Sequence, residues 1–331
     1  MGGGPAGLRA ALFATEQGHT VTVYEKSDSL GGQLKFADYA SFKWNLKDYK
    51  DWLIREIEKS GVTVHLNTEA TPELLKGQGY DVVIAALGST AKNIPVPGAD
   101  TPGVWLAEDV FGREQELGKN VVVIGGGATG KEAALYLAKA GHHTTMVTRG
   151  QAKLYDDPHS KRATELDFEN EPNFYYIEHA ATVAVKPNEV TLDVTLNYPH
   201  VDPMFAMMFM EMQEQKTPQV MPDSRPAGFP PRKAPFDPHA ADEAAKNGEG
   251  QIGPEGPGGP PPMSEPVDES KLPHETRVIP CDSVVISGGR QAVDAEAFRE
   301  IAPEFCVIGD CLYPSDIRNC NNTAFAAVMQ L

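Results

Sequence analysis

The amino-acid sequence predicts an α/β protein with two doubly wound parallel sheets that follow the same local plan. The first observation is an internal repeat, since residues 2–26 and 125–149 are identical at ten of 25 positions. Each copy contains a glycine turn, a helix of small residues, a terminating glycine and a β-branched strand. The second observation is the length of 331 residues, which suggests two domains of about 150 residues each. Alternation of helices and buried strands is typical of doubly wound sheets.

Composition and charge exclude several classes of protein. The chain has 29 basic and 46 acidic residues, for a net charge of −17, and such a chain repels nucleic-acid phosphates. No apolar run approaches the ~18 residues of a membrane helix, and the first residues lack the pattern of a secretory signal. Four cysteines are too few for a disulfide scaffold. We therefore expect a cytoplasmic protein with no nucleic-acid or membrane partner, and its oligomeric state stays open.

Proline is concentrated in one segment of the chain. Residues 199–275 contain sixteen of the 27 prolines, and proline blocks helices and removes backbone donors. Because few large apolar residues remain to be buried, we expect a low-complexity and largely irregular insertion. Residues 204–212 differ, since they are rich in Met and Phe. They predict a short helix packed on its own domain, with a docking surface for a partner as the alternative.

The glycines of each copy follow the pattern G-x-G-x-x-G. The first glycine makes the tight turn from strand to helix, the second lets the backbone approach a pyrophosphate, and the third lets the helix pack closely on the sheet. The diphosphate then lies at the helix N-terminus, where free N–H groups and the helix dipole stabilise negative charge. The two aligned copies predict two Rossmann-like dinucleotide sites, one at Gly2, Gly4, Pro5, Ala6 and Gly7 and one at Gly125, Gly127, Ala128, Thr129 and Gly130.

The two copies differ at the position that contacts the ribose. Glu25 lies 23 residues after the first glycine, and its carboxylate can accept hydrogen bonds from a free ribose diol, as in FAD. The equivalent position of the second copy is Thr148, which Arg149 follows. Because a guanidinium suits a 2′-phosphate, the second copy favours NADPH over NADH. The alternative is that Arg149 is a solvated charge at a strand end.

Four further segments have the pattern that a nucleotide site needs. They are a second glycine turn at residues 31–34, predicted buried strands at 81–88 and 282–290 that end in glycine, and a strand at 305–310 that ends in Gly309-Asp310 before a small-residue helix. An aspartate at that last position can hold the ribityl hydroxyls of a flavin. The segments therefore agree with two nucleotide sites in one chain.

On these segments the chain resembles the pyridine-nucleotide-dependent flavoprotein reductases with two dinucleotide-binding domains. It is most similar to the C-terminal half of the old-yellow-enzyme-like group of 2,4-dienoyl-CoA reductase, 2-enoate reductase and trimethylamine dehydrogenase, over residues 2–34, 45–97, 120–149 and 281–331. The resemblance implies two interleaved domains. They are an FAD domain of residues 1–95 plus 304–331 and an NAD(P)H domain of residues 96–303 that contains the insertion.

Motifs and resemblance together assign the candidate site residues. Those expected to bind FAD are Gly2, Gly4, Pro5, Ala6, Gly7, Glu25, Lys26, Gly32, Gln33, Gly88, Gly309 and Asp310. Those expected to bind NAD(P)H are Gly125, Gly127, Ala128, Thr129, Gly130, Thr148, Arg149, Gly288 and Gly289. The implied activity is hydride transfer from NAD(P)H to FAD. Because the cofactors carry that chemistry while the protein orients their rings, no catalytic acid or base is named.

The sequence also departs from the family it resembles. In that family an N-terminal barrel carries FMN, which reduces an activated C=C bond, and a cysteine-rich segment carries an iron–sulfur cluster. Neither lies in these 331 residues, so we expect FMN and the cluster in an upstream module or a partner subunit. Cys281, Cys306, Cys311 and Cys320 lack the C-x-x-C spacing, so they are expected to be buried thiols and not metal ligands.

A second departure concerns the start of the first copy. The strand that residues 120–124 give to the second copy has no counterpart before Gly2, although it is central in a doubly wound sheet. This suggests a truncated product, and an inactive nucleotide-binding remnant is therefore one alternative function. Another is the electron-input subunit of a different flavoprotein complex, similar to the small subunit of glutamate synthase.

Overall fold

The computed structural model describes residues 1–151, 166–198 and 267–331. Most of the predicted insertion, including the helix predicted at 204–212, lies outside these residues. The chain forms two compact units, one of Met1–Leu196 with Pro273–Leu331 and one of Asn197–Leu272. Within the second unit, the described residues contain the 3-10 helix Glu269–Lys271. All elements below belong to the first unit.

The helices and strands follow the predicted alternation. The α-helices of the first unit whose two ends both lie in the described residues are α1 (Pro5–Glu16), α2 (Trp44–Ser60), α3 (Pro72–Leu75), α4 (Ala128–Lys139) and α5 (Ile317–Val328). The strands are β1 (Thr22–Tyr24), β2 (Thr63–His65), β3 (Val82–Ala85), β4 (Ser89–Ala91), β5 (Val104–Leu106), β6 (Asn120–Ile124), β7 (His143–Val147), β8 (Phe174–Ile177), β9 (Ala180–Lys186), β10 (Glu189–Thr195), β11 (His274–Pro280), β12 (Ser283–Ile286), β13 (Arg290–Ala292) and β14 (Glu304–Val307). Strand β11 thus overlaps the last two residues of the predicted insertion.

A five-stranded parallel sheet surrounds the second glycine turn. Its strand order is β5-β12-β6-β7-β8, and a three-stranded antiparallel sheet of order β11-β10-β9 lies beside it. Successive side chains of β6 point to opposite faces of the sheet, as strand geometry requires. Val122 and Ile124 pack against the antiparallel sheet, whereas Val121 and Val123 pack against α4. The layers are therefore helix, parallel sheet and antiparallel sheet.

The first glycine turn lies between two parallel strand pairs. One pair joins β1 to β2 and the other joins β3 to β14, so β3 pairs with a strand that follows it by more than 200 residues along the chain. Met1 and Gly2 connect the pairs through the backbone, because the Ala86 amide donates to Met1 O at 2.9 Å and the Gly2 amide donates to Tyr24 O at 2.8 Å. Helix α1 packs on α5 and α2 above these strands.

The backbone around Met1 matches the end of β6 in the second copy. There the Ser287 amide donates to Ile124 O and the Gly125 amide donates to Val147 O, each at 2.8 Å. Met1 therefore holds the place in the first copy that Ile124 holds in the second. The parallel sheets with helices packed on them confirm the predicted α/β fold class.

Candidate functional site

The first glycine turn brings the start of α1 directly to the end of the neighbouring strands. Gly2 has φ of +94°, a left-handed conformation that favours glycine. A Cβ atom on Gly7 would overlap the carbonyl oxygen of Gly2, and one on Gly2 would overlap that of Ala86. Both glycines are therefore required by close backbone packing. A Cβ on Gly4 would meet only the Cα of Gly32, at 3.8 Å, so the space in front of Gly4 is open.

The second glycine turn has the same geometry. Gly125 has φ of +115°, and a Cβ on Gly130 would overlap the carbonyl oxygen of Gly125. A Cβ on Gly127 would have no neighbour within 4 Å, as at Gly4. The sequence repeat is thus also a repeat of backbone contacts, with the middle glycine facing open space in both copies.

Both helices present an uncapped N-terminus to this open space. Gly4 and Gly127 are the N-cap residues of α1 and α4, no side chain caps either helix, and neither first turn contains an acidic residue. Free N–H groups at a helix start, together with the helix dipole, form a ready site for a phosphate group. The two turns therefore fit the diphosphates of two dinucleotides.

A cavity of about 410 Å³ opens in front of the first turn. Of the residues predicted to bind FAD, those that line it are Gly2, Gly4, Pro5, Ala6, Glu25, Lys26, Gly32, Gln33, Gly88 and Asp310. The other two are not lining residues. Gly7 lies against Gly2, and Gly309, at φ of +59°, lies against Ala6. The remaining lining of the cavity includes Tyr24, Glu69, Ala70 and Phe298, which the sequence reasoning missed.

Glu25 is a buried carboxylate at the wall of this cavity. It is 8% exposed and accepts hydrogen bonds from the Gly3 amide at 2.7 Å, the Ser27 amide at 2.8 Å and the Ser27 hydroxyl at 2.7 Å. Burial alone would raise the pKa of the Glu25 carboxyl. The hydrogen bonds from Ser27 and Gly3, with the positive charge of Lys35, hold that pKa below its ordinary value. The group is therefore ionised at neutral pH and able to accept from hydroxyl groups.

Asp310 lies where the first cavity meets a second one. Its carboxylate accepts from the Ser89 hydroxyl at 2.8 Å and from the Ser315 amide at 3.2 Å. The preceding Gly309 amide donates to the Thr323 hydroxyl of α5 at 2.9 Å. These bonds fix the end of β14 against the start of α5 and point the carboxylate of Asp310 at the cavities.

The second cavity, of about 910 Å³, extends from the first turn to α4. Its lining includes Ala128 and Thr129 at the start of α4, the aromatic rings of Phe36, Tyr39 and Phe111, and the charged pair Glu108 and Arg290. The residues that line both cavities are Pro5, Gly32, Gln33, Asp310 and Cys320. The two cavities are therefore neighbours, one at the start of α1 and the other reaching the start of α4.

The other residues predicted to bind NAD(P)H lie near α4 without lining either cavity. Gly125, Gly127 and Gly130 form the turn itself. Thr148 lies close to Gly126, and a Cβ on Gly288 would come within 2.5 Å of the Lys92 carbonyl oxygen. Gly289 has φ of +93°. Arg149 is exposed just after β7.

Sequence reasoning missed Glu108, Ser89 and Arg290. Arg290 directly follows the Gly288-Gly289 pair that was predicted from its strand pattern, so its position in the sequence was the available signal. Its guanidinium pairs with Glu108 at 2.5 Å and donates to the Ser89 hydroxyl at 2.7 Å. No local pattern indicates Glu108 or Ser89.

The cysteines are thiols in apolar surroundings. Cys281, Cys311 and Cys320 are buried and Cys306 is half-buried, and all four are free. Burial raises the pKa of each thiol, to about 11 for Cys281 and Cys320. Among the described residues no group of His, Cys, Asp and Glu side chains could hold a metal ion. No helix in the described parts of the chain is long and apolar enough to cross a membrane.

Comparison with known proteins agrees with this geometry. Residues 1–204 match the family model described as pyridine nucleotide-disulphide oxidoreductase. Among curated proteins, the chain is 40% identical over 151 residues to an NADH oxidase from Thermoanaerobacter brockii. The aligned region covers 44% of this chain and 23% of that protein. It is 37% identical over 147 residues to a cinnamate reductase from Clostridium sporogenes, which covers 44% of this chain and 22% of that protein. The matched part is thus less than a quarter of each relative.

A solved structure titled as a 2-naphthoyl-CoA reductase complex has the same fold. It aligns with a TM-score of 0.72 at 21% identity and covers 100% of this chain and 39% of that chain. The chain belongs to the pyridine nucleotide-disulphide oxidoreductase family. Within that family it is an FAD-dependent NAD(P)H oxidoreductase module, as the sequence predicted.

The third glycine of each copy provides a test that separates the two sites. Gly7→Ala is expected to weaken FAD binding at least tenfold, because the added methyl group pushes α1 away from Gly2. NAD(P)H binding to α4 should change little. Gly130→Ala should do the reverse, so each variant is the matched control for the other. Equilibrium dialysis with each nucleotide measures both affinities, and equal losses for both nucleotides in both variants would contradict two separate sites.

A second test uses the charge of Glu25. Glu25→Gln is expected to weaken FAD binding about tenfold at neutral pH, since hydrogen bonds to a charged group contribute about 1.5–3 kcal/mol. The pKa of this carboxyl lies below its ordinary 4.5. The higher FAD affinity of the wild-type protein over Glu25→Gln should therefore persist down to pH 4.5 and disappear only below it.

The matched control for this test is Glu69→Gln. Glu69 lines the same cavity but is exposed, and its replacement removes the same charge without removing a buried acceptor. Equal effects of the two substitutions on the FAD dissociation constant would show that Glu25 acts only through net charge.

Proposed function

We propose that this chain is the electron-input half of an enoate-reductase-type flavoenzyme. In this proposal it takes hydride from NAD(P)H onto FAD and passes the electrons to a module that carries FMN and an iron–sulfur cluster. The observation that carries the proposal is the pair of glycine turns, each with an uncapped helix, opening into two cavities that share Asp310 and four other residues.

The site assignment follows from the two cavities. FAD is assigned to the first turn and its cavity, where Glu25 accepts from the ribose and Asp310 from the ribityl chain. NAD(P)H is assigned to the turn before α4 and to the second cavity. The volume of about 410 Å³ in front of α1 is continuous with the larger one, so the flavin ring would extend toward α4.

The proposed domain boundaries are residues 1–95 with 304–331 for FAD and residues 96–303 for NAD(P)H. The pairing of β3 with β14 supports the return of the C-terminal segment to the first domain. The pairing of β12 with both β5 and β6 supports a separate sheet for the second. The predicted insertion would then interrupt the second domain between β10 and β11.

In this reaction the residues of the chain bind the two cofactors, orient them and exclude water. When bound, the two cofactors supply the hydride transfer itself. The start of each helix stabilises a diphosphate, and Glu25 fixes one ribose. Phe36 and Phe111, whose ring centroids are 5.3 Å apart, give the second cavity an apolar wall that limits water near the reacting rings.

The proposed partner and substrate follow from the relatives. The similarity to a cinnamate reductase, at 37% identity over 147 residues, supports an activated C=C bond as the final substrate of the complete system. The free, buried cysteines fit the reducing cytoplasm, where the proposal places the protein. The rival proposals are an inactive remnant, which would bind no flavin, and an input subunit of another complex, which would bind flavin but serve a different partner.

The direct test of the proposed function is reduction of bound flavin. The purified protein is expected to be yellow, or to become yellow with added FAD, and NADPH or NADH should bleach the flavin absorbance without oxygen. A protein that stays colourless with added FAD would contradict the proposal and favour an inactive remnant.

A further test addresses the preference for NADPH. Arg149 lies just after β7 and is exposed, where a guanidinium could pair with a 2′-phosphate. Arg149→Ala is expected to reduce the ratio of NADPH to NADH reduction rates about tenfold, whereas Arg149→Lys keeps the charge and should retain most of it. An unchanged ratio in Arg149→Ala would remove this residue from the site.

A further inference from the structure

Within the described residues, two short strands lie on the chain connections between the sheets that surround the two glycine turns. Strand β4 follows β3 on the way to β5, and β13 follows β12 on the way to β14. The two strands pair with each other in antiparallel fashion, with Arg290 opposite Ala91 and Ala292 opposite Ser89. This two-stranded ribbon therefore joins the two sheets through the backbone.

Arg290 makes three directional bonds from this ribbon. Its Nε donates to Ser89 Oγ at 2.7 Å and its Nη2 donates to the Ser89 carbonyl oxygen at 2.6 Å. Its Nη1 pairs with Glu108 at 2.5 Å. Glu108 lies just beyond β5, at the edge of the five-stranded sheet. One planar guanidinium thus ties the ribbon to that sheet.

These bonds determine the direction in which the Ser89 hydroxyl donates. Arginine has no acceptor, so Ser89 Oγ accepts from Arg290 and its own proton is left for Asp310 Oδ2, at 2.8 Å. Ser89 is 7% exposed, so water does not readily replace either partner. Oδ2 of Asp310 is therefore held by a chain of bonds that begins at Glu108, while Oδ1 accepts from the Ser315 amide at 3.2 Å.

The two ends of this chain lie in different places. Glu108 and Arg290 line the second cavity but not the first, Ser89 lines the first but not the second, and Asp310 lines both. The chain therefore connects the wall of the proposed NAD(P)H cavity to the carboxylate that faces the proposed flavin.

We propose that Arg290 is a positioning residue that couples the two cofactor cavities, by orienting Ser89 and through it the Asp310 carboxylate toward FAD. The inference rests on the proposed function, because it assigns FAD to the first cavity. Arg290 itself touches neither reacting ring in this account. Its effect on FAD is transmitted through Ser89, and Glu108 fixes its position from the other side.

The first experiment is a double-mutant cycle on the FAD dissociation constant of the full chain. Arg290→Gln and Ser89→Ala are each expected to raise the FAD dissociation constant about tenfold. The constant of the double variant should not exceed the larger of the two single-variant values, since both substitutions remove the same chain of bonds. Arg290→Lys keeps the charge but loses the planar fork, so it should resemble Arg290→Gln. Arg299→Gln removes an exposed arginine that pairs with Glu296, and it should leave the constant unchanged.

The second experiment tests transmission from the other cavity. Glu108→Gln is expected to raise the FAD dissociation constant several-fold, although Glu108 does not line the first cavity. Added to Arg290→Gln, the same substitution should raise the constant no further. Glu116→Gln is the matched control. Glu116 pairs with the exposed Arg113 and lines neither cavity, so its replacement should not change FAD affinity. Circular dichroism confirms that each variant is folded before binding is measured.

The outcomes separate this inference from the proposed function. A wild-type chain that binds no FAD overturns both. A wild-type chain that binds FAD, with Arg290→Gln binding equally well, overturns only the role of Arg290. Additive losses in the Arg290 and Ser89 double variant also overturn it, since they mean that the two residues act independently.

Discussion

Two backbone contacts shape the two glycine turns to which we assign the nucleotides. The Cα atom of Gly7 packs against the carbonyl oxygen of Gly2, and that of Gly130 packs against the carbonyl oxygen of Gly125, so closely that a methyl group would overlap the oxygen. This packing lets α1 and α4 begin directly at the end of the strands below them. Their uncapped N-termini consequently face open space, and in the proposed function a diphosphate takes the place of the missing helix caps.

The second constraint is the path of the chain between the two glycine turns. Because β14 returns to pair with β3, the last residues of the protein bring Asp310 to the cavity formed by the first residues. The chain passes through β4 on the way to the second sheet and through β13 on the way back. Arg290 and Ser89 connect this ribbon to Glu108 and Asp310. The site therefore depends on contacts between residues more than 180 positions apart.

Local patterns allowed the sequence to predict the repeated elements and about half of the residues that line the first cavity. The glycine spacing, the ribose carboxylate Glu25 and the Gly309-Asp310 strand end are each signalled within a few residues, and the family resemblance united them. Ser89 and Glu108 could not be predicted, because their roles arise only when β4 pairs with β13 and β5 pairs with β12. The second cavity was predicted less completely, since neither Arg149 nor any glycine predicted for the NAD(P)H site lines it. Its aromatic wall comes from the segment after the first copy.

The central claim is that one chain holds a flavin and a pyridine nucleotide at the same time in neighbouring sites. The most direct measurement is the binding stoichiometry of NADP⁺ on the FAD-saturated protein by isothermal titration calorimetry, with the bound FAD counted from its absorbance in the same sample. The account predicts one FAD and one NADP⁺ per chain, with the flavin retained throughout the titration. Release of FAD in proportion to the NADP⁺ that binds would mean a single shared site and would contradict it.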